Sequence, residues 1–101
     1  MAKIIWTKKA FSQFQRIVKF IYEEEGLSSA EIVRIKILQV TSLLGTNPQM
    51  GTVEPLLTHK KFHYRFLVVW SYKIIYRTTS DKVIISRVFH TSRNPKKLRG
   101  T

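Results

Sequence analysis

Residues 62–89, FHYRFLVVWSYKIIYRTTSDKVIISRVF, decide the fold. Phe62, Tyr64, Phe66, Val68 and Trp70 alternate with His63, Arg65, Leu67 and Val69, the period of a strand whose side chains point in turn to two faces. Tyr72, Ile74 and Tyr76 set against Lys73, Ile75 and Arg77 repeat the device. Thr79, Ser80 and Asp81 then supply turn residues before a third run from Lys82 to Phe89. An antiparallel meander of three strands is expected. Trp70 and Ser71 leave almost no loop, so the first hairpin must be very tight or contain a bulge. The aromatic set that begins at Phe62 is the expected core face. In the last strand Val83, Ile85, Arg87 and Phe89 would form one face and Ile84, Ser86, Val88 and His90 the other, and both sets are largely apolar.

Upstream the period changes to that of helices. Ile4, Ile5 and Trp6 favour a short strand, and Thr7 is placed to cap a helix from Lys8. Phe11, Phe14, Ile17, Val18, Ile21 and Tyr22 recur every three or four residues, and Gly26 ends the run. A second helix is expected to open at Ser28, where Ser28 and Glu31 have capping-box spacing. Its apolar band (Ile32, Val33, Ile35, Ile37, Leu38, Val40) is too wide for an exposed helix, and Gly45 with Pro48 stops it. Glu23, Glu24 and Glu25 oppose the local helix dipole and are read as a solvated face. The fold class that follows is α+β, with an N-terminal helical hairpin packed on one face of a small antiparallel sheet in the order β-α-α-β-β-β. The other face is left open. Arg65, Lys73 and Arg77 are placed on it, with Arg87 joining Arg65.

The chain has 101 residues, 44% of them hydrophobic, enough for one domain (1–101) with one modest core. Without cysteine there is neither a disulfide nor a Cys-based zinc site, and His59, His63 and His90 form no helical i, i+4 pair. No metal and no cofactor is expected. The N-terminus has neither a signal-like apolar run nor a membrane span, so a soluble cytoplasmic protein is expected. Charge is concentrated at one end: from Pro55 to Thr101 there are eleven Lys or Arg against one acid, Asp81, a net +10 of the +12 total. An anionic partner is expected. Lys96, Lys97 and Arg99 close the chain as a basic tail, with residues 96–101 expected to be flexible.

Taken in order, several segments carry a resemblance: the opening strand with Trp6, the helical hairpin, Asn47-Pro48-Gln49-Met50-Gly51, and Glu54-Pro55-Leu56. They continue through Tyr64 to Val69, Tyr72-Lys73-Ile74-Ile75-Tyr76, and the run from Arg87 to Pro95. The chain resembles the ParE/RelE superfamily, toxins of bacterial type II toxin-antitoxin systems, over nearly its whole length. The resemblance implies a cytoplasmic growth inhibitor of the plasmid-stabilisation kind, neutralised by a cognate acidic antitoxin that wraps it. Two branches differ in mechanism. A RelE-like toxin is a metal-independent, ribosome-dependent mRNA endonuclease (an mRNA interferase) in which the 2'-OH attacks the adjacent phosphate. On that reading Arg65, Lys73, Arg87, His90 and Arg93 would supply charge, and Glu54 or His90 would carry protons. A ParE-like toxin traps DNA gyrase on cleaved DNA and needs a binding surface, here Arg65, Lys73, Arg77, Arg87, Arg93, Lys96 and Lys97, which would serve target or antitoxin. The ParE-like branch is favoured, because the long hairpin and the ending His90-Thr91-Ser92-Arg93-Asn94-Pro95 resemble it, while Lys73 stands where many RelE-like nucleases have Arg and no aromatic residue follows Phe89. The charge alone would also fit a nonenzymatic nucleic-acid-binding module.

Overall fold

In the computed structural model, which describes residues 1–57 and 62–92, the strand β1 (Lys3–Trp6) runs straight into the helix α1 (Lys8–Glu25). Thr7 makes the junction: its hydroxyl accepts from Ala10 N at 3.0 Å, satisfying one of the donors that a first helical turn leaves free. Gly26 ends α1, with φ at 95° and its N–H donating to Tyr22 O at 2.9 Å, a backbone conformation that favours glycine. The helix α2 (Leu27–Ser42) starts at once. Ser28 therefore already lies inside α2 and caps nothing, contrary to the capping-box reading. Glu31 instead accepts two hydrogen bonds from the Arg34 guanidinium, at 2.9 and 2.8 Å. That contact holds the carboxyl of Glu31 below its ordinary range.

After a 3-10 turn at Leu43–Gly45 come β2 (Thr52–Val53), a 3-10 turn at Pro55–Leu57, β3 (Tyr64–Val69), β4 (Tyr72–Thr78) and β5 (Lys82–His90). The strands form one sheet in the order β1-β5-β4-β3-β2. The meander β3-β4-β5 is antiparallel as expected, and β2 adds a two-residue edge. β1 joins parallel to β5, pairing Ile4 with Val83 and Trp6 with Ile85, so the whole sheet is mixed. Both helices cover one face. Ala10, Phe14 and Ile37 pack there with Leu44, Val69, Ile74, Tyr76, Val83, Ile85 and Val88, the apolar burial that supplies the main driving force for folding.

Which strand residues face the helices differs from the expectation for β3. Leu67 and Val69 turn inward, and Tyr64 and Phe66 pack on the opposite side with Leu57, Ile75 and Phe89. Alternation identifies two sets but does not say which one meets the helices, and both sets here are apolar. The ambiguity in β5 resolves in neither of the two expected ways. Arg87 pairs with Ile75 while Ile85 pairs with Tyr76, leaving Ser86 as an extra residue. The bulge reverses the parity of the strand. Ile85 and Val88 thus share the helix-covered face, whereas Arg87 and Phe89 belong to the other.

Candidate functional site

The loop between α2 and β3 is tied down by the sheet. Tyr76 sits at the centre of the core, and its hydroxyl donates to Pro48 O at 2.8 Å and accepts from Gly51 N at 2.9 Å. Arg65 donates to Gly51 O at 2.8 Å from the neighbouring strand position. A Cβ on Gly51 would lie 2.6 Å from Phe66 O and 2.7 Å from the Tyr76 hydroxyl, closer than packed atoms approach. Burial pushes the Tyr76 phenol above its ordinary pKa, with the Gly51 N–H and the Arg65 charge opposing that rise. Arg65 was expected on the open face together with Arg87. Its partner in the ladder is Tyr76, so it belongs to the face that the helices cover, and it acts as a clamp on the loop.

The face away from the helices holds Lys73, Arg77 and Arg87, but it is not a bare basic plane. Glu54 is 1% exposed, and its carboxylate pairs with Lys73 Nζ at 2.6 Å. Lys73 Nζ also lies 4.2 Å from the centroid of the Phe66 ring. Arg77 stacks over Phe62 at 4.1 Å, an attraction between cation and ring that fixes the plane of its guanidinium. Arg87 is only 6% exposed. The small second core of Leu57, Tyr64, Ile75 and Phe89 lies among these charges.

His90 is placed elsewhere. It pairs with Tyr72 at the end of the sheet, its ring edge-on to the Tyr72 ring at 5.6 Å. Its Nδ1 meets Ser92 Oγ at 2.8 Å and accepts from Ser92 N at 3.1 Å. It lines a cleft of about 320 Å³ with Gln13, Arg16, Phe20 and Tyr72. Burial, with Glu25 next, raises the pKa of Tyr72. The structure therefore brings Glu54 to Lys73 and leaves Arg77 and Arg87 on that same face, while Arg65 and His90 stand apart. Arg93, Lys96 and Lys97 lie outside the described residues. Among the described residues no group of three or more His, Cys, Asp or Glu side chains could hold a metal ion. Likewise, no described helix is long and apolar enough to cross a membrane.

One surface was not singled out from the sequence as a site. A groove of about 570 Å³ runs between the helices, lined by Phe11, Val18 and Tyr22 of α1 and by Leu27, Arg34 and Leu38 of α2. Ile32 and Ile35 of α2 are also exposed. The signal was present in the width of the apolar band on α2, because a helix that is apolar all round buries more than one side.

The family model described as the ParE toxin of the type II toxin-antitoxin system, parDE, matches residues 4–95. A solved structure of the chromosomal ParDE TA system from P. aeruginosa is similar in fold, with a TM-score of 0.73 at 20% sequence identity, covering 89% of this chain and 96% of that one. The solution structure of a conserved hypothetical protein from Helicobacter pylori aligns with a TM-score of 0.46 at 13% identity over 92% of this chain and 98% of its own. No curated protein matches the chain.

Proposed function

The chain belongs to the ParE toxin family of type II toxin-antitoxin systems, and from that premise we propose that it arrests bacterial growth by inhibiting DNA gyrase. One observation favours this over RNA cleavage: the two candidate proton carriers lie on different sides of the sheet, Glu54 with Lys73 on the face away from the helices and His90 in a cleft with Gln13 and Arg16 of α1. Glu54 is buried in its contact with Lys73, and His90 stands with Tyr72 at the end of the sheet, its Nδ1 engaged by Ser92. General acid-base catalysis needs both groups within reach of one substrate. Binding a target needs only a surface. We assign that surface to the face away from the helices, with Lys73, Arg77 and Arg87, and keep Arg93, Lys96 and Lys97 as candidates from the sequence alone.

A toxin-antitoxin system implies an antitoxin partner, and we take that partner to be acidic and to wrap the toxin. Its apolar residues would cover the groove between α1 and α2, and its acids would compete with the target for the cationic face. Action on gyrase places the protein in the cytoplasm. The second reading, a ribosome-dependent mRNA endonuclease using Arg65, Lys73, Arg87, His90 and Glu54, draws its support from the Lys73–Glu54 contact. The discriminating experiment incubates purified protein with gyrase and supercoiled DNA. Accumulation of cleaved DNA complexes is expected. Their absence at saturating protein, together with cut mRNA in a translation reaction, would replace this reading with the second.

A further inference from the structure

The strand β5 outruns the strand that flanks it. β1 pairs with β5 only from Lys82 to Ile85, yet β5 continues to His90, and among the described residues no strand lies beyond it on that side. At first, side chains stand in for the missing neighbour. The Thr7 hydroxyl donates to Ser86 O at 3.4 Å, and Gln13 Oε1 accepts from Val88 N at 2.9 Å. On the other side Thr91 N donates to Ser71 O at 2.8 Å, a register in which the main-chain groups of Phe89 turn towards β4 and those of Val88 and His90 turn away from it. Past Val88 N, therefore, Val88 O and the N–H and C=O of His90 face a side with no strand to pair with. The cleft of about 320 Å³ that His90 shares with Gln13, Arg16, Phe20 and Tyr72 lies at this edge, because Val88 and Phe89, which point to opposite faces, both line it. Its polar side chains are rich in donors. Val88 N holds Gln13 Oε1, so the amide NH2 is left to donate. Ser92 N donates to His90 Nδ1 at 3.1 Å, so the neutral ring carries its proton on Nε2. Arg16 adds a guanidinium, and no carboxylate lines the cleft; Glu25 stands outside the lining and acts on the Tyr72 phenol. Phe20, 62% exposed, forms an apolar wall.

We infer that the open end of β5 takes up an extended acidic peptide segment of a protein partner, which adds as a strand beside residues 88–90 and sets a carboxylate side chain among Arg16, Gln13 and His90. Main-chain hydrogen bonds to an unpaired edge supply affinity in such an addition, and alternate side chains supply specificity. Residues two apart on the added strand point to the same side, so an apolar residue two positions from the acid would lie against Phe20. A peptide is favoured over nucleic acid because only a peptide carries the alternating N–H and C=O groups that a strand edge matches. On the reading proposed above the antitoxin carries this segment, and that choice of carrier rests on that reading, whereas the edge and its donors do not.

The test titrates the peptide Ac-Thr-Asp-Thr-Ile-Thr-amide into the isotope-labelled full chain and follows its amide signals. Binding is expected to shift the signals of Val88 and His90 and to slow solvent exchange of the His90 N–H at least about fivefold. Two further peptides carry N-methyl groups on one or the other alternate set of main-chain nitrogens. One of them should bind at least about tenfold more weakly than the parent and the other within about twofold, because only one set faces the edge. Replacing the peptide's Asp by Asn should weaken binding roughly two- to fivefold, as should Arg16→Gln and Gln13→Glu in the protein. Gln13→Glu keeps an acceptor for Val88 N and exchanges the donor for a like charge. Lys36→Gln, on an exposed part of α2, is the reference and should change binding less than about twofold. Equal binding of both methylated forms and the parent would mean docking without strand pairing. Signal shifts confined to the groove between α1 and α2 would place the peptide elsewhere, and displacement by a tetrathymidylate that binds more tightly would make the cleft a phosphate site. Each of these results, or no binding at millimolar peptide, overturns the inference. Gyrase inhibition measured on the same protein separates the two readings: a chain that inhibits gyrase but binds no peptide loses only this edge, and one that binds the peptide without acting on gyrase keeps it.

Discussion

At the scale of single residues, Tyr76 and Gly51 are the positions where chemistry and fold depend on one another most directly. Removing the Tyr76 hydroxyl leaves Gly51 N and Pro48 O without this partner, so Tyr76→Phe is expected to cost about 1–3 kcal/mol in denaturant unfolding. The same substitution should change the alkaline limb of stability. Because the folded-state pKa of Tyr76 is raised, its contribution is full below about pH 10 and is lost as pH rises further, since the unfolded chain ionises first. A stability profile between pH 8 and 11.5 should therefore fall less steeply in Tyr76→Phe than in the wild type. Gly51→Ala should destabilise by about 1–3 kcal/mol or more, because the new methyl meets the Phe66 carbonyl of the sheet. A melting temperature equal to that of the wild type would contradict this packing. Neither dependence was legible in the sequence. Asn47-Pro48 announced a turn, but nothing local shows that a tyrosine twenty-five residues further on holds Gly51.

At the scale of elements, the strongly patterned parts were legible and the choices between equivalent faces were not. Thr7, Gly26 and the alternation from Tyr64 onward each specify local backbone, and the helices and meander follow them closely. The faces of β3 and the parity of β5 depend on what packs above, and a single inserted residue at Ser86 reverses the second. The β3-β4 hairpin makes the cost of such a choice measurable. Val69 pairs with Tyr72 across a two-residue turn, and Trp70 in that turn has φ at 54° and is 54% exposed. A bulky residue is strained in this region, where glycine is not. Trp70→Gly is therefore expected to raise stability by about 0.5–1 kcal/mol, read as an upward shift in melting temperature. A fall of similar size would mean that the indole makes packing contacts that outweigh the strain. Because strain kept at an exposed aromatic points to recognition, growth inhibition by the stabilised variant should be measured beside its melting.

At the scale of the whole molecule, two surfaces differ in character. The helical half, with seven basic and five acidic residues up to Glu54, is nearly neutral and exposes an apolar groove. The half from Pro55 onward carries the charge, and three of its cations, Lys73, Arg77 and Arg87, stand on the sheet face that the helices leave uncovered. Under the proposed function, an antitoxin long enough to cover the groove and meet the cations would silence the protein. The charge asymmetry was legible from composition. The position of each cation was not, because Arg65 turns to the covered face and His90, beside Tyr72, lines a cleft with Gln13 and Arg16 of α1. The central claim is that a ParE-family chain with this geometry acts on gyrase. It is tested most directly by inducing the isolated gene in a bacterial host and following the DNA-damage response and mRNA integrity in the same culture. Growth arrest with damage signalling and intact transcripts is the predicted result, whereas arrest with cut messages and no damage signalling would contradict it.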